Sequence, residues 1–312
     1  MTKNDIPKVA IITRTKDRPI FLERAIKSVL KQTFKDYVHV ILNDGGNKKK
    51  VESILKKYPA KNRVIIHNAN SVGLTRALNQ AITSVDSEYV TILDDDDAWN
   101  KDRLKLNIEL INELGSEATV VPMEIVVEDV VDGSIIEVER IPHPQSWSGE
   151  VSLYKQLHQN FLSNGCIMYK RNIYNLLGGY DESLTAAEDW DFGIRLMKIC
   201  DVDQVLSDQA LVYYHQRPLL EDEILGNSVH SGVRNQERTI MIIRNRYLRE
   251  DLKNGTLGAG YIMNDIENSL NSIARLEGHV NRGVEEIKKE LASIDERKVS
   301  NKIKRAVKDI IK

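Results

Sequence analysis

Four consecutive carboxylates, Asp94-Asp95-Asp96-Asp97, stand directly after an apolar, β-branched run at residues 89–93. Like charges this close repel one another, and near a strand end the arrangement is costly unless a cation relieves it. Magnesium and manganese take carboxylate and phosphate oxygens, usually one or two protein carboxylates together with substrate phosphates. One reading of the run is therefore a divalent ion, Mn2+ or Mg2+, bridging Asp96, with Asp94 or Asp97 beside it, to a diphosphate. The other is a solvated acidic turn, since Asp favours the start of a helix such as the one expected near Lys101. A second acidic group, Glu188-Asp189-Trp190-Asp191, opens an amphipathic segment that continues through Ile194 and Met197.

The elements that must position these groups follow from two hydrophobic periods. Short apolar runs at residues 9–13, 38–42, 64–67 and 89–93 read as buried strands, too short for helices. Between them, Phe21, Leu22, Ala25, Ile26, Val29 and Leu30 share one helical face. Val51, Ile54, Leu55 and Tyr58 share a second, and Ala77, Leu78, Ala81, Ile82 and Val85 a third. Strand alternating with helix implies βαβ units and a mostly parallel sheet covered on both faces. Ligands of such sheets bind outside the carboxyl ends of the strands. That rule selects Thr13-Arg14, Asn43-Asp44-Gly45-Gly46 and the Asp run. Further on, residues 119–127 and 134–138 around Asp132-Gly133 predict a β-hairpin. A Pro/Trp/Ser/Gly-rich surface loop is expected at 141–149, and another strand at 166–169.

Composition narrows the class. The chain has 312 residues, 41% hydrophobic and 29% charged, with a net charge of −2. It is long enough for a sizeable core and gives no electrostatic reason to expect nucleic acid. No run approaches the roughly 18 apolar residues of a membrane span, and residues 1–8 are polar. Cys166 and Cys200 are isolated, so a disulfide framework or zinc site is not expected and a reducing cytoplasm is. Gly-x-Gly-x-x-Gly and P-loop signatures are missing, which removes the main support for dinucleotide oxidoreductases and ATPases. Beyond about residue 221 the sequence becomes helical and charged. Ala259, Met263, Ile266, Leu270, Ile273, Glu277, Val280, Val284, Ile287, Leu291 and Ile294 step by four and three, a heptad seam with one Glu in register. Gly278 and Gly283 leave open two shorter helices joined near 277–283. The seam fits self-association or packing on the body. Residues 297–312 form a basic amphipathic helix suited either to an anionic membrane surface or to solvent.

From Val9 to about His215 the sequence resembles family 2 glycosyltransferases of the GT-A fold. Val9-Ala-Ile-Ile-Thr-Arg-Thr-Lys-Asp-Arg-Pro19 is similar to that family's first strand and loop, and Arg24 to Phe34 to its Ser-hydrophobic-Leu-x-Gln-Thr helix. Asn43-Asp44-Gly45-Gly46 stands at the usual Asp-Asp-Gly-Ser position, with Asn for the first Asp. Gly73 to Asn79 matches Gly-x-x-x-Ala-x-Asn, and Leu93 to Asp97 the DXD-containing Leu-Asp-x-Asp-Asp. Leu177-Gly-Gly-Tyr-Asp-Glu182 and Glu188 to Leu196 resemble the acceptor-side motifs.

The resemblance implies a GT-A-type nucleotide-binding fold over residues 1–220, followed by a helical extension over 221–312. The nucleotide-sugar half would be 1–115 and the acceptor half 116–220. It also implies roles. Thr13, Arg14 and Asp44 would contact the nucleoside, and Arg76 base or phosphate, one residue earlier than the family's usual Arg. Asp94 would hold ribose or donor sugar, with Asp95 beside it in the nucleotide-sugar site and Asp96, Asp97 and His215 at the metal. Asp189 would be the general base, with Glu188 orienting it. The expected activity is an inverting, metal-dependent hexosyl transfer from a nucleotide diphosphate sugar, UDP favoured and dTDP an alternative. The acceptor would be a glycan or lipid-linked glycan in bacterial surface polysaccharide synthesis, in the cytoplasm or at the inner face of the cell membrane. A silent scaffold and a magnesium-dependent phosphoryl transferase are the competing classes.

Overall fold

The computed structural model describes residues 6–142, 151–218, 225–226 and 233–310. The expected strands form as β1 (Val9–Thr15), β2 (Tyr37–Asp44), β3 (Arg63–Asn68) and β4 (Tyr89–Ile92), interleaved with α1 (Pro19–Leu30), α2 (Lys48–Lys57) and α3 (Leu74–Thr83). Val9, Ala10, Ile11 and Ile12 are all fully buried, which requires cover on both faces of the sheet and explains a continuous apolar run instead of alternation. Pro19 opens α1, where its missing N–H costs nothing. The helix turns Leu22 and Ile26 towards Ile41 of β2 and Val51 and Ile54 of α2.

The chain continues through β5 (Ala98–Trp99), α4 (Arg103–Leu114), β6 (Ala118–Val120), β7 (Met123–Val131), β8 (Ser134–Pro142), α5 (Leu153–His158), β9 (Ile167–Lys170), α6 (Arg171–Leu177), α7 (Glu188–Met197), β10 (Val202–Gln204) and β11 (Val212–Gln216). Seven strands make one sheet in the order β10-β6-β9-β4-β1-β2-β3, parallel except where β9 runs antiparallel to β4 and β6. A second sheet has the order β5-β11-β7-β8. The α/β class with a mostly parallel central sheet is thus as expected.

Two local readings change. The single strand expected at 119–127 is two strands in different sheets, divided at Pro122, which has no N–H to donate to a ladder. The hairpin of β7 and β8 turns at Asp132 (φ 50°) and Gly133 (φ 75°), the pair of positive φ values of a type I′ turn. β8 runs on to Pro142, so the loop expected at 141–149 starts within a strand, and the rest of it lies outside the described residues.

Contacts divide the chain into two compact units, residues 1–246 and 247–312. The division falls inside α8 (Val233–Asn254), beyond the boundary expected at 220. In the second unit the seam lies on one continuous helix, α9 (Ala259–Ile310), which passes through Gly278 and Gly283 without a break. Ile273, Val280, Val284 and Ile287 of that seam are exposed. Among the described residues no helix is long and apolar enough to cross a membrane.

Candidate active site

The carboxyl ends of β1, β2 and β4 lie side by side in the sheet, so Arg14, Asp44 and the Asp run converge as the strand-end rule requires. Within the run the four carboxylates have different surroundings. Asp94 is the most open, with 35% of its side chain exposed, and takes a hydrogen bond from Arg14 (3.2 Å). Asp95 is fully buried and ion-paired with Arg18. Burial pushes its pKa up to about 6, against the pull of Arg18. Asp96 is held by Arg18 and by Arg217. Burial alone would raise its pKa, but these guanidinium groups overcome burial and keep it below the usual carboxylate value. Asp97 is buried, and its Oδ1 accepts the backbone N–H of His215 (2.9 Å), tying β11 to the run. Burial and its acidic neighbours push the Asp97 pKa well up.

The sequence reading missed the cations of this network. Arg217 is completely buried, with its guanidinium 4.2 Å from the centre of the Phe21 ring, and it joins Asp96 to Glu128 of β7. Arg24 of α1 donates to the same Glu128 and to the Asp96 carbonyl. Arg18 stands immediately before α1. Three arginines from the first and last strands' neighbourhoods thus balance part of the acidic run. Each was visible in the sequence, but only the fold places them beside the same carboxylates.

On the opposite side stand Glu188 and Asp189, the first residues of α7. Burial, with Asp189 next to it, drives the Glu188 pKa up to about 7, and Arg14 works against that rise. Arg14 lies 3.9 Å from Glu188 while bonding Asp94, so one guanidinium links the two acidic groups. Its other amine donates to the Leu74 carbonyl (2.8 Å) at the start of α3. Asp189 is raised by burial, against hydrogen bonds from the Asn160 side chain and the Trp190 backbone. Asp94 lies near enough to push it further the same way. The Asn164 backbone also donates to Asp189, and neither Asn160 nor Asn164 had a signal in the sequence as a site residue. Gln156 fixes their loop by accepting the N–H groups of Phe161 and Leu162 (2.8 and 3.0 Å).

Three of the expected contact residues have partners within the protein. Thr13 is fully buried, its hydroxyl 3.0 Å from Nε2 of His39. Asp44 accepts from Asn68 (2.9 Å), Ser71 (2.6 Å), and the N–H groups of Val72 (2.9 Å) and Gly73 (3.2 Å). Those donors fill the roughly four acceptor positions of a carboxylate, so Asp44 organises the loop before α3. Gly45, at φ 78°, allows that loop to close over it: an added Cβ would fall 2.4 Å from the Ser71 nitrogen. Arg76 is largely exposed and pairs with Glu182 (3.0 Å).

The donor chemistry fits a divalent cation. The carboxylates of Asp94 to Asp97, Glu128, Glu188 and Asp189 outnumber the guanidinium groups of Arg14, Arg18, Arg24 and Arg217. The raised pKa values of Asp95, Asp97, Glu188 and Asp189 carry the mark of that excess negative charge, alongside burial. His215 is held neutral, its pKa pushed down to about 3 by burial and then by Arg24, which suits an imidazole ligand. Among the described residues no three His, Cys, Asp or Glu side chains form a cage by themselves. An ion here would therefore take one or two carboxylates and complete its shell from a diphosphate, the usual arrangement for magnesium and manganese.

Comparison with known proteins shows the family and the fold. The chain is 27% identical over 197 residues to an uncharacterized glycosyltransferase of Rickettsia typhi, covering 63% of this chain and 60% of that one. It is 26% identical over 192 residues to the Escherichia coli protein WcaA, named as a colanic acid biosynthesis glycosyl transferase (61% of this chain, 66% of that one). The chain thus spans about three fifths to two thirds of the length of these relatives. Among solved structures, S. aureus TarS in complex with UDP-GlcNAc superposes with a TM-score of 0.57 at 23% identity, over 70% of this chain and 60% of that one. The mannosyltransferase PcManGT of Pyrobaculum calidifontis, in complex with GDP-Man and Mn2+, gives 0.57 at 14% identity (87% and 76%). At these identities the likeness is one of fold, and it is the expected GT-A type. The glycosyl transferase family 2 model matches residues 10–178, more than half of the sequence, and the chain belongs to that family.

Proposed function

We propose that the chain is an inverting, divalent-cation-dependent glycosyltransferase that moves a sugar from a nucleotide diphosphate sugar to a hydroxyl of a glycan or lipid-linked glycan. The observation that carries this reading is the linkage of Asp94 to Glu188 through Arg14, with Asp189 beside both. A donor-side carboxylate and a candidate base therefore face the same space. Asp94 is the open carboxylate and serves the donor sugar. Asp96 and His215 would hold the ion, which would supply Lewis-acid stabilisation of the departing diphosphate. Asp95 and Asp97, both buried, position their neighbours. Asp44 acts on the nucleoside pocket through the loop at residues 68–73, and Arg14 orients Asp94.

Asp189 removes the proton from the acceptor hydroxyl as attack on the anomeric carbon develops. Its raised pKa keeps a strong enough base, and its place at the start of α7 favours the ionised form. Burial first, and then repulsion from Asp94, sharpen that basicity, while Glu188 next to it orients the base. With base and leaving group on opposite sides of the sugar, a single displacement inverts the anomeric centre.

UDP is the favoured nucleotide, in keeping with TarS and its UDP-GlcNAc, and dTDP is the alternative. Surface polysaccharide is the acceptor class, supported by the colanic acid assignment of WcaA. The setting proposed is the cytoplasmic face of the membrane, with residues 297–312 as the docking helix. A thermal-shift panel of nucleotide sugars with Mn2+ tests the donor reading. Stabilisation by one nucleotide class only in the presence of Mn2+ is expected; equal shifts in chelator would remove the cation. Release of free phosphate in place of a nucleoside diphosphate would point to phosphoryl transfer instead.

A further inference from the structure

The family match ends at residue 178, before the acidic pair at the start of α7. What holds that pair lies outside the matched segment, and much of it comes from α8. The peptide from Asp181 to Asp191 is anchored on one side by the α/β body: Thr75 donates to the Leu184 carbonyl (3.0 Å), and the Trp190 indole N–H to the Gln156 carbonyl (2.5 Å). On the other side it meets α8. Asn235 exchanges two hydrogen bonds with Thr185, accepting from its hydroxyl (2.9 Å) and donating to its carbonyl (3.3 Å). Arg246 donates to Asp181 (2.7 Å) and lies 3.6 Å from Asp191. Asp191 also pairs with Arg195 (2.7 Å), and Asp181 itself closes a turn by accepting from the Ser183 N–H (2.9 Å).

Arg246 therefore staples the two ends of one short peptide, and Ala187, Glu188 and Asp189 lie between the staple points. Ala187 has φ 51°, a left-handed conformation that a residue with a Cβ adopts only when its surroundings impose it. Released, that residue would relax towards ordinary backbone geometry and carry the adjoining carboxylates with it. We propose that Arg246, seconded by Asn235, is a positioning residue for Asp189; this rests on the reading of Asp189 as the base. The helix at the chain's C-terminal side thereby sets the geometry of proton transfer without touching substrate. A displacement of about 1 Å at a reacting group can cost on the order of 100-fold in rate, so a partial release should cost about 10-fold.

The test uses the full chain with Mn2+ and a donor panel of UDP-glucose, UDP-galactose, UDP-GlcNAc, dTDP-glucose and GDP-mannose, water serving as acceptor. With the best donor, Arg246→Gln is expected to lower kcat about 10-fold with donor KM within about twofold, and Arg246→Lys to restore most of it. Because the Arg246 side chain is 41% exposed, neither variant should lose much stability. Unchanged kcat in Arg246→Gln, or an equal loss in Arg246→Lys, overturns the proposal. Hydrogen exchange gives a second reading without substrate: amides of residues 185–190 should exchange at least about fivefold faster in Arg246→Gln and near the parent rate in Arg246→Lys. Identical exchange in all three proteins also overturns it. Full turnover in Asp189→Asn would instead remove the base assignment, a result distinct from either of these.

Discussion

Replacing Arg217 with Met isolates the buried ion network that supports the acidic run. Methionine keeps much of the length and apolar contact against Phe21 but deletes the Arg217 donors to Asp96, Glu128 and the Leu225 carbonyl. Removing one partner of a buried pair typically costs about 3–5 kcal/mol, because the other charge stays buried without compensation. Here the loss is moderated, since Arg24 still holds Glu128 and Arg18 still holds Asp96. About 3 kcal/mol is the value the geometry supports. For a unit of this size each kcal/mol lowers Tm by about 2–4 °C, giving a drop of about 6–12 °C. Urea and thermal unfolding followed by circular dichroism, without nucleotide, would measure it. Glu128→Gln in the Arg217→Met background should recover part of the loss, with a coupling energy above about 1 kcal/mol. A Tm shift below about 2 °C, or strict additivity of the two substitutions, would refute the claim that Arg217 compensates these carboxylates.

Other outcomes follow from the titratable groups. Burial and the neighbouring Asp189 charge push the Glu188 pKa up to about 7, so its protonation contributes to the acid limb of kcat/KM; Glu188→Gln removes that titration, and the limb should move to lower pH. The ratio of kcat/KM at pH 6 to that at pH 8 should rise about threefold, and an unmoved limb would show that Glu188 does not titrate in that range. His39 is fully enclosed, and burial pushes its pKa down to about 3 from an unfolded value near 6.5. Its folded value is depressed, so the unfolded chain takes the proton first. The stability in question is present above pH 6.5 and is lost progressively as pH falls towards 3, at about 1.4 kcal/mol per unit. Between pH 7 and 5, His39→Gln should therefore lose about 2 kcal/mol less than the parent, by urea titration at each pH; equal losses would show that His39 is not buried neutral.

Much of the nucleotide half was legible because its signals are local. Runs such as Val9-Ala-Ile-Ile can only be covered strands, and the strand-end rule then selected Arg14, Asp44 and the Asp run without any long-range information. The hairpin turn at Asp132-Gly133 was equally readable, since its two residues must both take positive φ. The split of residues 119–127 between two sheets was not, although Pro122 marks the place. What the sequence did not show was which protein groups a polar side chain meets. Thr13 lies on a strand whose every face is covered, so its hydroxyl meets His39. Asp44 looked like a free acceptor because its four donors come from residues 24 to 29 positions away. Arg18, Arg24 and Arg217 are ordinary arginines in sequence and become compensating charges only when α1 and β11 close around Asp96.

In the mechanism proposed, Asp189 takes the acceptor proton while the donor is held independently at Asp94 and Asp96. Asp189→Asn tests it most directly, because Asn can still accept the Trp190 N–H and fits the same space. Steady-state turnover and calorimetric binding of the best nucleotide sugar with Mn2+ would be measured on the same preparation. Loss of kcat by at least about 100-fold with donor Kd within about threefold is the result the account predicts. Turnover within a few fold of the parent protein would contradict it.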